Sequence, residues 1–190
     1  VGDGTPFARM EEAGRLHLPT DDECGDMYDY ITAELPRLGY RRYEISNYAR
    51  AGEESCHNLA YWQDVPYIGL GAAAHSYWHG QRTENEQDLR RYIACIEGGL
   101  SPAREEEPCS RESHIEEFAF LALRTADGID KKRFRGTFAS DVHEVYGEVI
   151  ARLQAAGLVE ETVVSIRLTA QGMKFGNRVF EAFLLESDEA

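Results

Sequence analysis

Val142, Val145, Tyr146, Val149, Ile150 and Leu153 recur every three or four positions. Only a helix brings that spacing onto one face, so this stretch predicts an amphipathic helix that other elements must cover. Ser140 stands where a cap belongs, and Gly157 is placed to stop the helix. Upstream, a helix over residues 111–126 carries Ile115, Phe118, Ala119 and Ala122 on one face, and a short helix from Asp130 presents Phe134. Downstream come two strand-like runs, 158–160 and 164–168, then a helix after Thr169. Three helices, a two-stranded wing and a closing helix describe a winged-helix-like domain over residues 111–185, with 186–190 as a tail.

The first hundred residues follow a different pattern. Thr20-Asp21-Asp22-Glu23 has the form of a capping box, followed by Met27, Ile31, Leu35 and Leu38 at helical spacing and by Gly39 as a stop. Residues 40–45 and 67–70 read as strands, and residues 76–83 as a hairpin turning at His79-Gly80. From Asn85, Leu89, Tyr92, Ile93 and Ile96 mark a further helix, ended by Gly98-Gly99. Residues 101–110, with two prolines and three consecutive glutamates, read as a linker between a domain over 1–100 and the winged helix.

Charge limits what such a module does. The chain carries a net −14, which argues against broad attraction to phosphates or anionic lipid. In the helix over 141–155, Asp141, Glu144 and Glu148 face a single Arg152, the wrong sign for entering a major groove. The cluster Lys131, Lys132, Arg133 and Arg135 lies on the preceding helix and reads as a solvated face or an intramolecular contact. Nucleic acid is therefore not an expected partner, and a structural or partner-docking role is. The longest purely apolar run is six residues, far short of the ~20 a membrane span needs. Cys24, Cys56, Cys95 and Cys109 form no Cys-x-x-Cys pair, so neither a zinc ribbon nor an iron–sulfur site within this chain is expected; the usage fits a reduced, cytoplasmic protein.

Chemistry, if present, belongs between Glu44 and Ser76. In His57-Asn58-Leu59-Ala60-Tyr61-Trp62, a helix would place His57 and Tyr61 on one face and Asn58 and Trp62 on the next. An imidazole beside flat aromatic rings suits a planar aromatic ligand or a metal carried by one, and imidazole is a common axial ligand of haem iron. Equally open is a structural role, with His57 and Asn58 satisfying loop backbone while Tyr61 and Trp62 fill core. Gly69-Leu70-Gly71-Ala72-Ala73-Ala74-His75 is nearly bare of side chains, which lets its backbone approach a helix or a cofactor closely. Glu44 reads as a buried carboxylate with a pairing role. His17, His79, His114 and His143 read as isolated surface residues.

The run Tyr43-Glu44-Ile45-Ser46-Asn47-Tyr48-Ala49, then Gly52, Ser55, His57-Asn58-Leu59-Ala60-Tyr61-Trp62 and the stretch from Tyr67 to Ser76 resembles the radical S-adenosylmethionine haem chaperones, long grouped with oxygen-independent coproporphyrinogen III oxidases. Gly4-Thr5-Pro6-Phe7-Ala8-Arg9, Leu18-Pro19, Leu158-Val159 and Arg167-Leu168-Thr169-Ala170-Gln171-Gly172 fit the same family. The resemblance implies an α/β (α+β) fold, with residues 1–100 forming the last strands of a partial (β/α) radical-SAM barrel ahead of the winged helix. It implies haem bound at His57, Asn58, Tyr61 and Trp62, with His57 as metal ligand. S-adenosylmethionine would lie near Gly71, Ala72, Ala73 and His75, and near Gly4 and Thr5. Family members hold a 4Fe–4S cluster on Cys-x-x-x-Cys-x-x-Cys, which this sequence lacks. The chain is thus expected to be the carboxy-terminal part of a longer protein, inactive as a catalyst alone. Its implied partners are the amino-terminal radical-SAM half, haem or porphyrin, and haem-requiring respiratory proteins. The rivals are coproporphyrinogen III oxidation, against which the His-Asn-x-x-Tyr-Trp motif speaks, and a winged-helix DNA regulator, against which the charges speak.

Overall fold

A computed structural model describes residues 2, 4–78, 80–105 and 110–185. His79, Cys109 and the tail 186–190 lie outside the described residues, as does part of the expected linker. The chain divides into two compact units, residues 1–41 and 42–190.

The first unit is helical. α1 (Pro6–Glu12) starts at Thr5, whose Oγ1 accepts the Ala8 N–H at 3.2 Å, with proline at the first helical position. α2 (Asp21–Arg37) carries the expected capping box: Glu23 N–H donates to Thr20 Oγ1, and Thr20 N–H donates to Glu23 Oε2 at 2.8 Å. That backbone N–H holds the Glu23 carboxyl below its ordinary range. Pro36 is accommodated in the last turn, and Gly39 leaves the helix at φ +86°. Met27, Ile31 and Leu38 on the predicted apolar stripe are exposed.

β1 (Arg41–Arg42) straddles the junction. The strand expected over 40–45 does not continue as such. Residues 43–45 instead run antiparallel to 124–126, with Ile45 N–H donating to the Arg124 carbonyl at 2.9 Å and Ala126 N–H to the Tyr43 carbonyl at 3.0 Å. β2 (Tyr48–Ala49) and α3 (Cys56–Trp62) follow. Of the strand expected over 67–70 only Tyr67 pairs, in a bridge to Tyr77. β3 (His75–Trp78) and β4 (Gln81–Asn85) form the expected antiparallel pair, in register from His75↔Glu84 to Trp78↔Gln81.

Two expectations here are corrected. α4 (Leu89–Glu97) begins four residues later than expected, because Asp88 caps it and Asn85 is spent as a buried strand residue. Part of the expected linker is β5 (Ala103–Glu105), which adds to β4 and completes a sheet of order β3-β4-β5. Among the described residues the strands form no closed barrel.

The winged helix matches its sequence pattern closely. α5 (Arg111–Leu123), capped by Ser110, buries Ile115, Phe118, Ala119, Ala122 and Leu123. β6 (Ile129–Asp130) leads into α6 (Lys131–Phe138), whose Phe134 is fully buried. α7 (Val142–Ala155) buries Val142, Tyr146, Ile150 and Leu153. Its cap is Asp141 rather than Ser140: Asp141 and Glu144 make a capping box, while Ser140 Oγ donates to Glu144 Oε2 at 2.8 Å. β7 (Val159–Glu161) and β8 (Ser165–Leu168) form the wing, which has three strands rather than two because β6 pairs with β8. α8 (Ala170–Lys174) and α9 (Gly176–Ala182) close the core with Met173, Val179, Phe180 and Phe183. No helix among the described residues is long and apolar enough to cross a membrane.

Candidate functional site

α3 forms where the sequence places it because Ser55 Oγ accepts the Asn58 N–H at 3.3 Å and caps the first turn. The helix puts His57 and Tyr61 one turn apart, and their rings meet edge to face with centroids 4.8 Å apart. Tyr61 in turn meets Tyr67 at 4.7 Å, so three rings form a step along one side of α3. His57 is exposed and Tyr61 is 37% exposed. Among the described residues neither ring nitrogen of His57 has a hydrogen-bond partner, which leaves the imidazole able to ligate.

Asn58 and Trp62 are half-buried. The Arg124 guanidinium lies 4.5 Å from the Trp62 ring centroid, and 5.7 Å and 5.9 Å from those of Phe120 and Phe180. The Trp62 Nε1–H is buried with no acceptor among the described residues. Trp62 and Gln63 also form one wall of a cavity of about 810 Å³ whose other walls include Thr125, Lys132, Arg133 and Ser165. The four motif residues thus fall on two sides of α3, with His57 and Tyr61 exposed and Asn58 and Trp62 half-buried.

Glu44 is buried, at 1% exposure. Its Oε1 accepts the Ser46 N–H at 2.8 Å and the Asn47 amide at 2.6 Å, so the polar string at residues 43–48 closes a turn locally. The bare stretch approaches its own chain: a side chain at Gly69 would place Cβ 2.1 Å from the His75 carbonyl oxygen. Asn85 Nδ2 donates to the Gly71 carbonyl at 2.9 Å, and Ala73 N–H donates to the Glu86 carbonyl at 3.1 Å. Gly71 and Ala73 both have positive φ, and His75 is exposed with Nε2 3.7 Å from Glu84. Gly4 and Thr5 lie in the first unit, where Thr5 Oγ1 donates to the Gly2 carbonyl at 2.7 Å besides capping α1.

Sequence reasoning missed His114 and His143 as bonded residues. Half-buried on α5, His114 has Nε2 3.1 Å from Asp64 Oδ2 and 3.4 Å from the Tyr77 hydroxyl. A carboxylate only accepts, so Nε2 carries the proton. The His143 Nε2 lies 2.8 Å from Glu161. No local signal marks either pairing, since 50 and 18 residues separate the partners. The basic cluster is largely engaged within the chain: Lys131 with Glu161, Arg133 with the Gln63 carbonyl, and Arg135 with Asp141.

Residues 109–175 match the model of the HemN C-terminal domain family. A protein of Bacillus subtilis (strain 168) named heme chaperone HemW is 39% identical over 182 residues, covering 96% of this chain and 48% of that protein. In sequence the chain is similar to the carboxy-terminal half of proteins named heme chaperone HemW. HemW of Lactococcus lactis is 37% identical, again with 97% of this chain matched to 48% of the relative. A zebrafish (Danio rerio) mitochondrial protein, radical S-adenosyl methionine domain-containing protein 1, is 27% identical over 195 residues, covering 96% of this chain and 44% of the relative. The chain thus spans about half the length of these haem chaperone relatives, their carboxy-terminal half. In fold it is similar to the coproporphyrinogen III oxidase HemN of Escherichia coli, with TM-score 0.66, 18% identity, and 88% of this chain matched to 42% of that one.

Proposed function

We propose that this chain supplies the haem-holding part of a haem chaperone, in which His57 would ligate the iron and Tyr61, Asn58 and Trp62 would complete the site. The observation that carries the reading is the exposed, unbonded His57 imidazole set against the aromatic step of Tyr61 and Tyr67. Among the described residues no group of three or more His, Cys, Asp or Glu is arranged to hold a metal ion. A haem brings its own four nitrogen donors, so a single imidazole from the protein suffices. His57 would give the iron a nitrogen ligand, Tyr61 would offer ring surface to the porphyrin, and Trp62 would fix the helix from behind.

In this reading the 4Fe–4S cluster and the chemistry of S-adenosylmethionine belong to an amino-terminal radical-SAM half of the longer protein. Gly71, Ala72, Ala73 and His75, with Gly4 and Thr5, would contribute backbone to the S-adenosylmethionine side of that assembly. Its recipients would be haem-requiring respiratory proteins. The apolar stripe of α4 supports a missing neighbour: Leu89 is 62% exposed, Ile93 44% and Ile96 53%.

Haem titration followed at the Soret band tests the site. The longer protein is expected to bind haem, which this chain alone is not expected to hold fully, and His57→Ala in the longer protein to weaken binding by at least about tenfold, as for loss of a metal ligand or its close support. Equal affinities in the two proteins would remove His57 from the site. Turnover of coproporphyrinogen III by the longer protein would instead favour the oxidase reading.

A further inference from the structure

α3 has seven residues, and none of them is buried. Isolated helices shorter than ~12–15 residues are marginal in water, so this one depends on what grips it. The grip is concentrated at one end, on three consecutive residues. Arg124, at the C-cap of α5, stacks on the Trp62 ring. Arg133, on α6, donates to the Gln63 carbonyl, which belongs to the C-cap residue of α3. His114, on α5, donates to the Asp64 carboxylate at 3.1 Å. Asp64 has φ +48°, in the left-handed region that side-chain residues other than Asn and Asp rarely visit, and its carboxylate is held by His114.

Resting on the haem-site reading above, we propose that Arg124, Arg133 and His114 are positioning residues, a clamp by which the winged helix sets the direction of the helix bearing His57 and Tyr61. Each acts through the residue it holds, and none is a haem ligand. The clamp gives the winged helix a task that uses Arg133 of its basic cluster within the chain. It also accounts for the split character of α3, with its Trp62 end fixed and its His57 side left open to a ligand.

Two observables decide the matter: amide hydrogen exchange of residues 59–64 and haem affinity, both on the longer protein. In the double variant His114→Ala/Arg133→Ala, exchange across 59–64 is expected to quicken about tenfold while amides of α5 and α7 hold their protection. Haem affinity is expected to fall about tenfold, the lower end of what outer-shell partners contribute. His114→Gln and Arg133→Lys, which keep a donor at each position, should restore most of both. Should the double variant unfold the winged helix, Arg133→Ala alone, on the surface side of the contact, replaces it. Unchanged exchange at 59–64 would overturn the clamp. So would quicker exchange with unmoved haem affinity, provided His57→Ala still weakens binding. If His57→Ala binds haem like the parent, the haem reading fails and exchange alone decides the clamp.

Discussion

At the scale of single residues, family-like motifs turn out to serve two different ends. Thr169 in Leu168-Thr169-Ala170-Gln171-Gly172 caps α8 through Gly172 N–H at 3.0 Å and donates to the Gly157 carbonyl at 2.7 Å. Gly172 itself is pressed against the wing, where an added Cβ would sit 1.8 Å from the Leu158 carbonyl oxygen. Backbone cannot yield as a side-chain tip can, so Gly172→Ala should destabilise the winged helix by about 1–3 kcal/mol or more. Urea unfolding measures this, and a midpoint equal to the parent's would contradict it. Among the described residues the His57 side chain makes no hydrogen bond, so its motif, unlike that of Gly172, is not spent on holding backbone in place.

At the scale of elements, the caps and the wing couple the fold to pH. The Asp141 carboxyl is held below its ordinary range by the His143 N–H and by Arg135; Glu144 is held down by the Asp141 N–H and by Ser140. Glu161 is lowered by hydrogen bonds from Lys131 and then His143. A carboxyl lowered in the folded state stabilises it above the unfolded value, and that contribution is lost as pH falls through the folded value. The melting temperature should therefore drop as pH is lowered through and below about 4, where ordinary carboxylates titrate. Glu161→Gln should melt lower than the parent at neutral pH, with the gap narrowing in acid. Thermal melts across pH test this, and a gap that widens in acid would refute it. The winged-helix elements were legible beforehand because each carries its own period and stop signal, as α7 does from Val142 to Gly157. Residues 40–45 read as one strand, but that 43–45 pair with 124–126 was not legible, because those partners lie far along the chain. Likewise β5 forms in a proline- and glutamate-rich stretch because β4 offers it a free edge, a tertiary fact that outweighs composition.

For the whole molecule, the contrast between halves matters most. The winged helix has a closed core from Ile115 to Phe183, whereas the apolar faces of α2 and α4 are left open, with Met27 and Ile31 exposed on the first and Leu89, Ile93 and Ile96 on the second. Exposed apolar faces of this kind are where partners dock, and the relatives are about twice this length. Ile93→Asp/Ile96→Asp should leave the melting of the winged helix unchanged while weakening co-purification with an amino-terminal half supplied as a separate chain. Co-purification at the parent's level would place that half elsewhere.

By itself the sequence determined most of the winged-helix helices, the α2 capping box and two strands of the wing, because periodicity, capping and spacing are properties of neighbours along the chain. Tertiary structure alone decided that Asn85 ties down the Gly71 turn, and that His114, Arg124 and Arg133 hold the end of α3. The bonds of Asn85, His114 and Arg133 join residues 14, 50 and 70 positions apart. Nothing local records such a pairing, since it forms only when folding brings distant donors and acceptors out of water together.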